Sequence, residues 1–216
     1  MKTLYPAVKN TLNMTNAIAL PEKIIYKTFA DRTTDTINIG FMGKLCEEKG
    51  IFDAIKVLSK LMEEGENVKL MIAGSVGSSE IKNQINNLVN EYGDRHIKYL
   101  GPVFGADKEN FYNNIDVFLF PTRYINETQG IVNIEAMSYG VPVVAFGRCC
   151  VPTDVGEDGG LIVPVGGDYV ACATSYIKEM NSSSEIYNKR RLDAHCQFKK
   201  IKKQSHKEYS EFLKLM

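Results

Sequence analysis

The chain is 216 residues long, 44% hydrophobic and 24% charged, an ordinary globular composition with enough apolar mass for one large domain or two small ones. Its 26 Lys and Arg balance 26 Asp and Glu, so no overall field draws it to nucleic acid or to an anionic surface. Five cysteines, an odd number without C-x-x-C spacing, and three histidines argue against a disulfide framework or a structural zinc site and for a reduced, cytoplasmic setting. No apolar run is long enough to span a bilayer, and "MKTLYPAVKN" lacks the continuous apolar core of a signal peptide.

Residues 1–35 carry the weakest pattern and read as a connecting segment, with "NAIALPEKI" as a short strand or turn. Strand and helix signals then alternate. "TINIGFMG" is an apolar, β-branched run that stops at Gly43. "GIFDAIKVLSKLMEEG" places Ile51, Phe52, Ile55, Leu58 and Leu61 or Met62 at helical spacing and closes at Gly65. "VKLMIAG" is a second strand. "SSEIKNQINNLVNEYG" opens on a Ser/Glu cap signal and carries Ile81, Ile85, Leu88 and Val89 on one face. "HIKYLG", "DVFLFP", "VPVVAF" and "GGLIVP" are further strands, with a short helix at "DKENFYNNI" and another leading into the Gly-Val-Pro turn. Helical spacing continues through Asp168–Met180. From Asn181 to Met216 nine Lys/Arg face four Asp/Glu, mostly in "KRR" and "KKIKK", which reads as a basic helical tail.

Nearly continuous apolar strands alternating with helices indicate a parallel sheet covered on both faces. The predicted fold class is α/β: a doubly wound, Rossmann-like parallel sheet of about six strands over residues 36–180. Ligands in such sheets bind beyond the C-terminal strand ends, and four motifs fall in those loops. "GKLCEEKG" offers Gly43, Lys44 and Lys49 at a helix entrance, a cradle suited to phosphate; it reads equally as a solvated loop in which Glu47 and Glu48 pair the lysines. "AGSVGSS", with Gly74, matches neither dinucleotide fingerprint nor P-loop and reads first as a turn. "LGPVFG", with Val103, can present backbone groups to a nucleobase or be an ordinary connection. "NETQGIVNIEAMSYGVPVVAF" carries two acids, Glu127 and Glu135, around a helix start. An acid near a helix N-terminus is favoured by the macrodipole, which covers Glu127 more easily than Glu135. Ile131, Ile134 and Met137 suit packing.

In order, "GKLCEEKG", "LMIAGS", "YLGPV", "DVFLFPT" and "ETQGIVNIEAMSYGVPVVA" resemble the C-terminal, donor-binding half of glycosyltransferase family 4, the retaining nucleotide-sugar transferases of GT-B fold. The resemblance covers residues 38–168. It implies that Glu135 accepts hydrogen bonds from ribose hydroxyls and that Glu127 lies against the donor sugar. The backbone of Thr128, Gln129, Gly130, Ile131 and Val132 would hold sugar hydroxyls and diphosphate. Lys44 and Lys49 would neutralise the departing diphosphate, with no essential metal and no cofactor. Gly43, Gly74 and Val103 would line the nucleotide-sugar site. Lys44 stands where the family usually has arginine, which keeps a cation and loses its bidentate fork. "TQG" departs from the common G-F-G.

The resemblance also implies a partner. A full transferase of this kind has a second Rossmann-like domain that holds the acceptor, and residues 1–35 cannot build one. The expectation is a donor half that transfers a hexose from a UDP, GDP or ADP sugar to a glycan or lipid-linked acceptor, working with an acceptor-domain protein. The alternatives are a nucleotide-sugar-binding module without activity of its own, or a fragment or truncated gene product that needs a partner acceptor domain; the sequence does not choose among these. The basic tail suggests peripheral contact with an anionic inner membrane face, set against a plain solvated helix.

Overall fold

In the computed structural model, which describes residues 15–21 and 35–214, the strands are β1 (Ile37–Met42), β2 (Val68–Ala73), β3 (Ile97–Tyr99), β4 (Val117–Phe120), β5 (Val143–Phe146) and β6 (Gly160–Val163). The helices are α1 (Ile51–Glu63), α2 (Ser79–His96), α3 (Gly105–Asn114), α4 (Ile131–Ser138), α5 (Val151–Val155), α6 (Tyr169–Asn181) and α7 (Ser184–Leu213). All strand pairings are parallel, in the order β3-β2-β1-β4-β5-β6. This is the doubly wound order, with its reversal between β1 and β4.

The strand period of two divides the core. Ile37, Ile39, Phe41, Val117, Leu119, Val144 and Phe146 face one layer, which also holds buried residues of α1, α2 and α6. Met42, Phe118, Phe120, Val143 and Ala145 face the other, with residues of α3, α4, α5 and α7. Both faces of the central strands are therefore buried, which is why those strands read as continuous apolar runs. α1 buries Ile51, Ala54, Ile55, Leu58 and Leu61, the stripe its spacing announces. Side chains of Ser78, Asp168 and Ser183 cap α2, α6 and α7 by accepting from Ile81, Ala171 and Ile186 N–H.

Three local readings change. α2 is interrupted at the expected glycine, Gly93 (φ 70°, ψ 165°), but a further turn follows the kink and runs on to His96. α5 and a 3-10 turn at Glu47–Lys49 were not anticipated. The stretch "NAIALPEKI" contributes a 3-10 turn at Asn16–Ala19, capped by Thr15; its part from Glu22 onward lies outside the described residues.

The stretch expected as a basic tail is mostly α7, whose Tyr187, Arg191, Ala194, His195 and Phe198 are buried. Its surplus of cations is largely taken up within the fold. Lys189 pairs with Asp193, Arg190 with Glu179 and Lys200 with Asp158, while Lys202 donates to the Leu20 carbonyl. Arg191 is fully buried and donates to the carbonyls of Ile115 (3.1 Å), Asp116 (3.4 Å) and Tyr139 (3.1 Å). It therefore fastens α7 to the entry of β4 and the end of α4. Arg191→Met should leave those buried acceptors without donors and lower stability by about 2–4 kcal/mol, since each orphaned group costs ~1–3 kcal/mol. Urea unfolding measures this, and a midpoint equal to that of the parent chain would contradict it.

Candidate functional site

β1 and β4 are neighbours in the sheet, yet α1 packs on one face and α4 on the other. The loops that leave these two strands diverge and open a crevice. The crevice is a cleft of ≈ 190 Å³, floored by Phe41, Met42 and Phe120 and walled by Gly43, Lys44, Lys49, Glu127, Gly130, Ile131 and Val132. Seven of the sequence-predicted residues thus meet in one place.

The two loops are fastened together. Arg123 donates its backbone N–H to the Glu48 carbonyl (2.7 Å), and its guanidinium pairs with Asp53 on α1 and lies over the Phe146 ring (4.9 Å). Across the cleft the Lys49 ammonium meets the Glu127 carboxylate at 2.5 Å and sits over the Tyr124 ring at 4.6 Å. Both partners are shielded, Lys49 being 23% and Glu127 11% exposed. Lys44 is exposed at the cleft wall.

The helix start beside these charges is built by Gly130. Its φ of 67° lies in the left-handed region, and a Cβ there would come within 2.8 Å of the Asn133 amide and 2.9 Å of the Phe120 ring. Only glycine meets both demands. No side chain caps α4, so the positive end of its dipole and its first N–H groups border the cleft. Cations and uncapped N–H groups in a crevice form a site for an anion.

Glu135 lies one turn further along α4 and lines an adjoining recess of ≈ 180 Å³ with Lys108, Tyr112, Tyr139, Leu20 and Pro21. Lys108 pairs with its Oε1 (2.6 Å), and the Tyr112 hydroxyl donates to its Oε2 (3.0 Å). Burial, and then the Glu135 charge, push the Tyr112 phenol well above its ordinary pKa. Tyr112 therefore stays a neutral donor, held by stacking on Tyr139 (5.3 Å, 21°). An ionised carboxylate offers about four lone-pair sites. Lys108 and Tyr112 take two of them.

The other predicted residues lie elsewhere. Gly74 supports the cleft from below: its φ is 132°, and a Cβ would fall 1.7 Å from the Gly43 carbonyl oxygen. Val103 lines a separate recess with Leu100, Pro102 and Phe111. Thr128 accepts from Cys150 N–H (3.3 Å), and Gln129 accepts from Asn16 N–H (3.2 Å) and hydrogen-bonds Asp154; neither lines the cleft. Sequence reasoning missed Lys108 and Tyr112. Their i, i+4 spacing on α3 puts both on one face, which is the signal that could have found them. A larger groove, ≈ 440 Å³ between α1 and α6, holds Lys60, Glu64 and Lys178, which pair among themselves. Among the described residues no group of three or more His, Cys, Asp or Glu is placed to hold a metal ion, and no helix is long and apolar enough to cross a membrane.

The doubly wound sheet thus opens a crevice at its reversal, bordered by the uncapped start of α4 and flanked by Glu135. The sequence matches the family described as "Glycosyl transferases group 1" over residues 26–192, and the chain belongs to that family. It is 32% identical over 151 residues to a capsular polysaccharide biosynthesis glycosyltransferase, CapM of Staphylococcus aureus, covering 69% of this chain and 38% of that protein. Among solved structures it resembles Anabaena HepE in complex with UDP and glucose, with TM-score 0.68, 18% identity, 84% of this chain and 49% of that one. It also resembles the C-terminal domain of LpcC, a glycosyl transferase group 1 protein of Francisella tularensis, with TM-score 0.63, 18% identity, 76% of this chain and 85% of that domain. The fold is that of GT-B glycosyltransferase neighbours. The match spans only 21–39% of the length of these and other curated relatives.

Behind the cleft, Asp154 is buried, being 2% exposed; its Oδ2 has no hydrogen-bond partner, and burial raises its pKa against the weaker lowering by Gln129. A carboxyl with a raised folded pKa favours folding while protonated and loses that contribution as pH rises through the folded value. Asp154→Asn should therefore raise the melting temperature near neutral pH, with the gain shrinking as pH falls into the carboxylate range. Melting curves across pH decide it; a gain independent of pH would contradict the assignment.

Proposed function

We propose that this chain is the donor-binding half of a retaining hexosyltransferase of glycosyltransferase family 4, acting on a nucleoside diphosphate sugar and delivering the hexose to a glycan or lipid-linked acceptor. The observation that supports this best is the meeting of Lys44, Lys49, Glu127 and the uncapped start of α4 in one cleft, with Glu135 beside it. The diphosphate would lie against the two lysines and the N–H groups of Ile131 and Val132. It would draw Lys49 from its 2.5 Å contact with Glu127 and free that carboxylate to face the sugar. The ribose hydroxyls would donate to Glu135 alongside Lys108 and Tyr112.

When the bond between the anomeric carbon and the phosphate oxygen breaks, negative charge grows on the departing diphosphate. Cations and fixed N–H dipoles stabilise that charge more in the transition state than in the ground state, which accelerates the step. Lysines in this role make a metal unnecessary to the proposal. The acceptor hydroxyl must be placed by a second domain. Aligning two reactants supplies roughly 7–11 kcal/mol of barrier lowering, and a donor half by itself lacks it. The relatives' greater length supports a second domain beyond the part matched here.

Addition of UDP, GDP or ADP at a hundredfold excess over Kd should stabilise the fold by about 2.7 kcal/mol, with EDTA without effect. Flat melting curves for all three would overturn the donor site. Glu135→Ala should weaken nucleoside diphosphate binding by roughly 1.5–3 kcal/mol, the worth of hydrogen bonds to a charged group. Glu127→Ala should spare the plain diphosphate and impair the whole sugar nucleotide; equal losses for both variants on the diphosphate would contradict the division of roles. The purified chain should bind a sugar nucleotide yet transfer it slowly until an acceptor-domain protein is added. Turnover by the chain alone within the usual enzymatic range, about 1–10³ per second, would show that it needs no partner.

A further inference from the structure

Cys149 and Cys150 are consecutive, and both are exposed. They are the two central residues of the turn that joins β5 to α5, closed by the Val151 N–H donating to the Arg148 carbonyl (2.9 Å). Among the described residues Cys149 is the one non-glycine with positive φ, 48°, a conformation that a residue with a Cβ adopts only when its surroundings impose it. The turn is joined directly to the loop that carries Glu127, because the Cys150 N–H donates to the Thr128 carbonyl at 3.3 Å. Cys46, Cys172 and Cys196 lie apart from it in the sequence and are free thiols as well.

We propose that Cys149 and Cys150 form a vicinal dithiol modification site, which a hydroperoxide converts reversibly to a disulfide and so releases the brace on the Glu127 loop. The chemistry balances within the site. The Cys149 thiolate attacks the peroxide and becomes a sulfenic acid, releasing an alcohol, or water when the oxidant is hydrogen peroxide. The Cys150 sulfur then displaces hydroxide, which leaves as water, and the S–S bond forms. Two thiols are oxidised and one peroxide bond is reduced. Burial, Asp154 and Cys149 raise the pKa of the Cys150 thiol, so the second step is slower at neutral pH and faster as pH rises.

Geometry sets the consequence. The peptide between the two residues is trans, so their Cα atoms stand about 3.8 Å apart, below the roughly 4.4–6.8 Å of ordinary disulfides. The ring closes only if the backbone of the turn rotates, and the Cys150 N–H then leaves Thr128. Such a bond is readily reduced, so the site returns to the dithiol when a thiol reductant is present. The modification itself is independent of the donor-site reading; only its effect on a bound donor rests on it.

The experiment uses the full chain with Cys46, Cys172 and Cys196 changed to Ser, so that two thiols remain. Limiting hydrogen peroxide should convert the monomer to a form lighter by two hydrogens with no free thiol, reversed by dithiothreitol. Cys149→Ser or Cys150→Ser in that background should abolish the change. Backbone hydrogen exchange should become several-fold faster over residues 126–130 in the oxidised form and stay as before in α1. Sulfinic acids, intermolecular disulfides or unreacted thiols would overturn the site. Closure of the disulfide with unchanged exchange at residues 126–130 would overturn its coupling to the loop.

Discussion

A parallel strand can be followed by another only through a connection laid across one face of the sheet. When successive connections change face, two adjacent strands release their loops in opposite directions, and nothing packs between them. In this chain that happens once, between β1 and β4, and the feature the cleft depends on is that divergence. It separates the lysine loop from the Glu127 loop far enough to leave a crevice. The backbone bond from Arg123 to Glu48 and the Arg123–Asp53 pair keep the separation fixed.

Within the crevice the charges are arranged in sequence from mouth to flank. Lys44 is exposed, Lys49 is shared with Glu127 and a tyrosine ring, the start of α4 follows, and Glu135 stands behind it with two of its lone pairs already occupied. Each acid is held by a cation that an anionic or hydroxylated ligand can displace or share. The segments that carry both acids make further contacts behind the cleft. Thr128 leans on the Cys150 turn, Gln129 on Asn16 and Asp154, and Glu135 on Tyr112 and its stacked neighbour Tyr139.

The sheet was legible because its central strands are buried on both faces and therefore appear as unbroken apolar runs ended by Gly or Pro. The main helices were legible through stripes such as Ile51, Ile55, Leu58 and through serine and aspartate caps. α5 was not: five residues, "VPTDV", with a proline and a threonine carry no helical period. The co-location of Lys49, Glu127 and Gly130 followed from the loop positions. The partners of Glu135 did not, because spacing on α3 says which face Lys108 and Tyr112 share but not which helix that face meets. Gln129 and Gly74 show the opposite case, since residue types suited to a ligand serve here to brace one loop and to let two backbones approach. Ile131, which suits packing by its spacing, also forms part of the cleft wall.

The account rests on one claim, that the crevice between the β1 and β4 loops takes a nucleoside diphosphate. A crystal of the chain grown with UDP tests it most directly. The account predicts the diphosphate within hydrogen-bonding distance of Lys49 and the N–H groups of Ile131 and Val132, with the ribose on Glu135. A diphosphate seated instead in the groove between α1 and α6, or in the recess around Val103 with Lys49 still paired to Glu127, would contradict it.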